Sequence, residues 1–96
     1  MIFRIDNSEK TKNTKKRHQD PKINIDHINN KLLIYYKPQS DYAKYSISDY
    51  NGQIHINGEF KGQNTIIENS SMLTKNMYNL IIVDGEDLIQ KQFLVD

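Results

Sequence analysis

The fold is decided by residues 43–57, AKYSISDYNGQIHIN, in which two alternating runs of apolar and polar residues flank an Asn-Gly pair. Alternation with a period of two is typical of a strand that buries one face. Asn51 and Gly52 both tolerate positive φ, which makes this pair a strong signal for a two-residue hairpin turn. Ile54 and Ile56 continue the alternation beyond the turn. The stretch therefore predicts a β-hairpin.

Similar short runs fill the rest of the chain from residue 22 onward, and none of them has a helical period. They are separated by turn residues such as Asn29-Asn30, Pro38 and Gly85, and they cover residues 23–25, 31–37, 65–68, 77–84 and 87–95. Together with the central hairpin they make seven strands. Seven short strands separated by turn signals predict an all-β fold, an immunoglobulin-like antiparallel β-sandwich.

The core of such a sandwich consists of the apolar residues that share the inward parity of each strand. For the run at residues 31–37 we assign Leu33 and Tyr35 to the inside. The complete predicted core is Ile23, Ile25, Leu33, Tyr35, Ala43, Tyr45, Ile47, Ile54, Ile56, Ile66, Leu73, Tyr78, Leu80, Ile82, Ile89 and Phe93.

The N-terminal part of the chain has a different composition. Residues 7–20 contain no Val, Ile, Leu, Met, Phe, Tyr or Trp, and residues 1–22 carry a net charge of +4 against −3 for the remainder. Such a segment cannot bury enough apolar surface to offset the entropy of ordering it. We therefore expect a disordered basic tail or linker over residues 1–21, with at most a brief edge strand near Ile2, and one folded domain over residues 22–96.

Composition also narrows the function. The net charge of +1 gives no reason to expect a nucleic-acid partner. The cluster Lys15-Lys16-Arg17 could anchor the tail to a polyanion or a membrane surface, but a solvated leader or linker is favoured because the cluster is short and has no aromatic residues to stack on bases. The sequence contains no cysteine, which excludes disulfides, thiolate metal sites and cysteine nucleophiles. It has no apolar run long enough to span a membrane and no ordinary signal-peptide pattern.

Candidate catalytic groups are few. His18 falls in the predicted tail, His27 lies near a turn, and His55 has the solvent-facing parity of its strand. Asp26 precedes His27, but neighbours on a strand point to opposite faces and would not converge. We therefore expect surface histidines, no metal site, no cofactor and no enzymatic activity.

Two further groups of residues could in principle bind a ligand, one acidic and one made of tyrosines. Asp84, Glu86 and Asp87 could bind calcium, but they lack the order of an EF-hand loop, so a polar hairpin tip is favoured. The tyrosines could form a sugar-stacking platform. By parity we place Tyr35, Tyr45 and Tyr78 inside and expect exposure at Tyr36, Tyr42 and Tyr50.

A series of weak motifs follows in a fixed order towards the end of the chain. A D-x-x-G hairpin runs from Asp49 to Gly52, and a small polar connector then leads through Leu73 to an alternating strand. Tyr78 belongs to this alternating strand, and Gly85 forms the turn that follows it. The final strand contains Lys91 and Phe93. In this order and spacing, residues 22–96 resemble the C-terminal sorting domain (type A) of type IX secretion substrates in Bacteroidota. Asn76 stands where that family usually has glycine, and Asn can adopt the same left-handed backbone.

The resemblance implies a non-catalytic sorting domain that is read by outer-membrane secretion and sortase machinery. Its contact surface would be the last hairpin, residues 77–95, with Lys91 exposed, and the expected location is secreted or cell-surface when an exported passenger precedes it. As the chain stands, without a signal-peptide pattern, a cytoplasmic location remains open. The alternative is a small immunoglobulin-like structural or adhesive module that binds protein or glycan and has no part in secretion.

Overall fold

The computed structural model of the protein describes residues 20–96. Within this range seven strands are formed: β1 Lys22–Asp26, β2 Lys31–Tyr35, β3 Lys44–Asp49, β4 Ile54–Glu59, β5 Thr65–Asn69, β6 Asn76–Asp84 and β7 Asp87–Val95. A 3-10 turn, Ser70–Met72, joins β5 to β6. The predictions made for His18, for the basic cluster at residues 15–17 and for an edge strand near Ile2 lie outside the described residues.

The strands form two antiparallel sheets, which confirms the predicted fold class. One sheet has the order β1-β2-β5 and the other the order β4-β3-β6-β7. Their inner faces enclose one cluster of buried apolar side chains to which both sheets contribute. Two sheets with these crossovers and a shared core define an immunoglobulin-like β-sandwich.

The predicted turns are formed where the sequence offers residues that tolerate left-handed backbone. Gly52 has φ +87° between β3 and β4, and Gly85 has φ +64° between β6 and β7. Both values lie in the region that residues with a Cβ seldom adopt. The β6–β7 hairpin that Gly85 closes is the longest in the fold, because all nine residues of each strand are paired.

The parity assigned to β2 is wrong. Leu32, Ile34 and Tyr36 are buried, whereas Leu33 is half-buried and Tyr35 is 40% exposed. In the register of this sheet, Ile34 lies between Ile23 of β1 and Ile66 of β5. The segment LLIYY is apolar at every position, so it contains no alternation that would show which side faces the core.

Two other core predictions need correction in and after β4. Ile54 is 56% exposed because the register shifts beside Ile47: Ile56 opposes Ile47 but Ile54 opposes the next residue, which leaves His55 as the extra residue of a bulge. Phe60, which is absent from the predicted core, is completely buried and its ring packs 5.5 Å from that of Tyr36. Val95 is also buried, which extends the core to the end of β7.

Candidate functional site

Three of the six candidate recognition residues lie in one row across the four-stranded sheet. Asp49 of β3 is the direct partner of Tyr78 in β6, and Tyr78 is the direct partner of Phe93 in β7. The rings of Tyr78 and Phe93 are stacked with their centroids 5.9 Å apart. Residues that are separated by up to 44 positions in the motif series therefore meet at one end of the sandwich.

Asp49 organises the β3–β4 turn. Its carboxylate accepts hydrogen bonds from the backbone N–H groups of Asn51 at 2.9 Å and Gln53 at 3.1 Å, and it lies 2.8 Å from Nε2 of His55. The hydrogen bond with His55 is the main reason that the pKa of Asp49 is lowered from its ordinary value. With these partners, the carboxylate holds the turn in which Gly52 sits.

The prediction that His55 faces solvent is wrong. Because it is the extra residue of the β4 bulge, its side chain turns towards Asp49 and is only 26% exposed. Its ring is nearly perpendicular to the Tyr78 ring in a T-shaped contact, with centroids 5.7 Å apart. No alternation rule could have shown this, since a bulge shifts the parity of one strand without any change in composition.

Tyr78 is 2% exposed, so a partner cannot reach its ring directly. Its hydroxyl donates a hydrogen bond to the carbonyl oxygen of Thr74 at 2.9 Å. This bond fixes the connection that follows the 3-10 turn, and the nearby Leu73 is buried, as predicted. Tyr78 therefore positions the start of the terminal hairpin, and any recognition must use residues around it.

Lys91 is less accessible than the sequence suggested. Its side chain points to the inner side of β7, is 31% exposed, and places Nζ 2.8 Å from Oδ1 of Asp20. The two groups bridge the edge of the sandwich between β7 and the residues that lead into β1. Because Asp20 is largely exposed, a pair of this kind contributes at most about 1 kcal/mol to stability.

Asp84 is a buried structural carboxylate, and the prediction of an exposed polar tip at this residue is wrong. Oδ2 accepts hydrogen bonds from the hydroxyl of Tyr36 at 2.6 Å and from the N–H of Gln39 at 2.8 Å. Oδ1 accepts from the N–H of Ser40 at 2.9 Å and from its hydroxyl at 2.7 Å. Both oxygens thus have protein donors, which leaves this residue no role as a calcium ligand.

The environment of Asp84 shifts two pKa values in opposite directions. Burial alone would raise the pKa of Asp84, but the hydrogen bonds from Tyr36, Gln39 and Ser40 outweigh it, so that the pKa lies below its ordinary value of 3.8. Burial and the bond to Asp84 raise the pKa of Tyr36. The carboxylate therefore stays charged, and the phenol stays protonated, at neutral pH. The predicted exposure of Tyr36 is wrong, because the parity of β2 is the reverse of the one predicted.

A second tyrosine links the two sheets. The hydroxyl of Tyr45 in β3 donates a hydrogen bond to the carboxylate of Glu68 in β5. The ring of Tyr45 lies directly over Gly58, its partner on β4, so closely that a Cβ at that position would be 2.7 Å from the ring carbon Cζ. The absence of a side chain at Gly58 therefore provides the space for this ring.

The exposed tyrosines do not form a platform on one sheet face. Tyr42 and Tyr50 are 79% and 72% exposed, as expected, but they lie before and after β3, at opposite ends of that strand. Tyr35 is on the outer face of the other sheet, beside Lys22 and Thr65. Within residues 20–96 there is also no cluster of three potential metal ligands.

The accessible part of the terminal hairpin is its outer face. Two cross-strand pairs of large apolar residues lie there, one at each end of the hairpin: Met77 with Leu94, and Val83 with Leu88. All four are at least 40% exposed, and Leu88 reaches 65%. A shallow depression of about 340 Å³ adjoins Val83, between the outer sides of β4, β3 and β6.

Comparison with known proteins adds no family to this description. No protein-family model and no curated protein matches the sequence. Among residues 20–96, no helix is long and apolar enough to cross a bilayer. The two antiparallel sheets and their shared core define the class as an immunoglobulin-like antiparallel β-sandwich, with two exposed apolar pairs on its last hairpin.

Proposed function

We propose that the domain is a non-catalytic recognition module of the sorting type, read by the outer-membrane secretion machinery of the type IX pathway. The observation that carries this proposal is the terminal hairpin, which presents Met77, Val83, Leu88 and Leu94 to solvent. Large exposed apolar residues on a rigid surface are typical of protein-interaction sites. The proposed location is the cell surface or the medium, for a chain attached to an exported passenger.

The motif residues have a coherent structural role in this proposal. Asp49 and Gly52 form a turn, Gly85 forms another, and Tyr78 with Phe93 packs the terminal hairpin against the core. Such residues keep the hairpin in one conformation, which lowers the entropy lost when a partner binds it. The partner would then contact side chains of the outer face, with the buried motif residues acting through the position of the hairpin.

The proposal is tested by fusing the chain behind a signal peptide and a reporter protein in a bacterium with a type IX system. We expect the reporter outside the outer membrane, and retention of the unmodified fusion in the periplasm would contradict the proposal. Met77→Glu combined with Val83→Glu should abolish export, because each of the two exposed apolar pairs then contains a charge. Ile67→Glu is the matched control: Ile67 is 60% exposed on the other sheet, and its replacement should leave export unchanged.

The second candidate is a structural or adhesive module outside secretion, which the same exposed apolar surface would also suit. Because Tyr42 and Tyr50 are at opposite ends of β3, glycan stacking on a contiguous tyrosine surface is not favoured. This candidate would instead bind protein through the outer face of the hairpin. It predicts that the reporter fusion is not exported in the type IX background, whichever variant is tested.

A further inference from the structure

The outer edge of β7 is open in the part of the chain that the structure describes. β7 is the last strand in the order β4-β3-β6-β7, and its pairing is with β6. Alternate residues of such an edge strand direct their backbone N–H and C=O groups outward, where they can pair with another strand. Proteins usually protect edges with proline, bulges, short strands or inward-pointing charges such as lysine. β7 is nine residues long and contains no proline or glycine, and its central inward-pointing lysine, Lys91, is already paired with Asp20.

The sequence of β7 is nearly palindromic. Residues 88–94 are LIQKQFL, so positions at equal distances from Lys91 match. Leucine stands three residues away on both sides, glutamine one residue away on both sides, and large apolar residues, Ile89 and Phe93, two residues away. A strand with this symmetry is complementary to an antiparallel copy of itself about a two-fold axis at Lys91.

The palindrome selects one register. With Lys91 on the axis, Leu88 lies opposite Leu94 of the second copy, and Gln90 lies opposite Gln92 of the second copy. A shift by one pair in either direction places leucine opposite a polar residue. Since cross-strand pairs of like polarity stabilise a sheet, the register centred on Lys91 is preferred.

The same register extends the exposed apolar pairs of the outer face. Within one chain Met77 pairs with Leu94, and Val83 pairs with Leu88. When Leu94 meets Leu88 of a second copy, the two pairs join into a row of four apolar residues that crosses both hairpins. By symmetry there are two such rows, and each contains residues that are 40–65% exposed in the single chain. Pairing would therefore cover apolar surface as well as backbone groups.

The charge at the centre of this pairing is balanced. Two Lys91 side chains would approach each other on the inner side of the joined sheet, where like charges repel. Each of them already has its Nζ 2.8 Å from Oδ1 of Asp20 in the same chain. The axis would thus carry two compensated ion pairs, and the repulsion that a lone lysine would cause is reduced.

From the open edge, the palindrome and the apolar pairs we propose that β7 mediates a symmetric homodimer by antiparallel pairing about Lys91, producing one continuous eight-stranded sheet. Seven paired residues extend over about 23 Å. Contacts of that length fall towards the small, weak end of protein interfaces, so the dimer should dissociate on dilution. The inference does not rest on the sorting function and applies equally to the alternative module.

The test uses the full chain in sedimentation velocity over a range from about 10 µM to about 1 mM, where small interfaces associate. We expect a concentration-dependent monomer–dimer equilibrium. Leu88→Lys with Leu94→Lys places lysine opposite lysine twice and should weaken association at least about tenfold. Leu88→Lys with Leu94→Glu places lysine opposite glutamate twice and should restore it. Both positions are exposed, so the fold is retained, and Ile67→Lys is the matched control on the other sheet.

The outcomes that overturn the proposal are distinct. A monomer at every concentration contradicts it directly, and a dimer that survives the double lysine substitution must use another surface. Loss of the dimer in both double variants contradicts the register. As an independent check, Leu88→Cys mixed with Leu94→Cys should give a disulfide between the two different chains, because directly paired residues lie within disulfide range. Either variant alone should give none.

Discussion

Replacing Asp84 with asparagine should destabilise the domain by about 2–4 kcal/mol, because an amide cannot reproduce the hydrogen bonds of this buried carboxylate. Each carboxylate oxygen accepts two hydrogen bonds, one of them from a backbone N–H, of Gln39 or of Ser40. Whichever way the asparagine amide is oriented, its NH₂ group faces one of these N–H donors. One partly buried backbone donor therefore loses its acceptor.

The magnitude follows from the type of bond that is lost. Hydrogen bonds to a charged group contribute about 1.5–3 kcal/mol each, and an unsatisfied buried donor costs about 1–3 kcal/mol. The hydroxyl of Tyr36 can rotate and accept a hydrogen bond from the new amide, which limits the total. A domain of this size has a free energy of unfolding of about 5–15 kcal/mol, so the loss is a substantial part of it.

Asp84→Asn should also reduce the acid sensitivity of the fold. The pKa of Asp84 is lowered in the folded state, so its stabilising contribution is complete above its ordinary value of 3.8 and is lost as the pH falls through the folded value. The free energy of unfolding should therefore fall less steeply below about pH 4 in the variant than in the natural sequence. The slope should not vanish, because the pKa values of Asp26 and Asp49 are also lowered.

Urea unfolding followed by far-ultraviolet circular dichroism measures both effects, at neutral pH and at a series of acid pH values. Glu86→Gln is the matched control, because Glu86 is an exposed carboxylate in the same turn and its loss should change little. The reasoning is refuted if Asp84→Asn stays within about 0.5 kcal/mol of the natural sequence, the usual range of surface changes. An unchanged acid slope would separately refute the assigned pKa direction.

Three other changes test the packing. Gly58→Ala should lower the free energy of unfolding in urea by about 1–3 kcal/mol, because the new Cβ meets the ring of Tyr45. Adding Tyr45→Phe should recover part of that loss. An unchanged free energy of unfolding in Gly58→Ala would contradict the close approach of the ring. Tyr36→Ala should lower the free energy of unfolding by about 3–5 kcal/mol, and Tyr35→Ala by less than about 1 kcal/mol, because only Tyr36 is buried. A larger loss for Tyr35→Ala than for Tyr36→Ala would show that β2 faces the core with its other side. Tyr78→Phe should lower the free energy of unfolding by about 0.5–1.5 kcal/mol, because the hydrogen bond to the Thr74 carbonyl oxygen is lost. Amide hydrogen exchange in residues 73–75 should become faster, and an unchanged exchange rate would contradict that hydrogen bond.

Alternation and turn chemistry were sufficient to predict most of the architecture. The strands on either side of Asn51-Gly52 and of Gly85 were predicted correctly because these residues, which tolerate positive φ, mark the turns between them. In β2 the apolar run has no such marks, and its parity follows only from pairing with Ile66 on β5, a long-range contact. The bulge at His55 is likewise invisible in composition, since it depends on how β4 aligns with β3.

The candidate site was predictable in position but not in accessibility. Asp49, Tyr78 and Phe93 do lie together, yet Tyr78 is buried and Lys91 is paired with Asp20. A sequence motif identifies residues that a fold requires, and it does not distinguish those that hold a surface in place from those that form it. The outer-face residues of the terminal hairpin alternate with the buried ones and could have been identified from the same period of two.

Antibody-type domains commonly join their two layers with a disulfide between the strand at the centre of one sheet and its counterpart in the other. Here the corresponding central strands are β2, between β1 and β5, and β6, between β3 and β7. Tyr36 directly follows β2 and Asp84 is the last residue of β6, and a hydrogen bond joins their side chains. A hydrogen bond between the sheets forms without an oxidant or a disulfide isomerase. It should be indifferent to glutathione and thioredoxin, and acidification, rather than reduction, is the chemical signal that would loosen it.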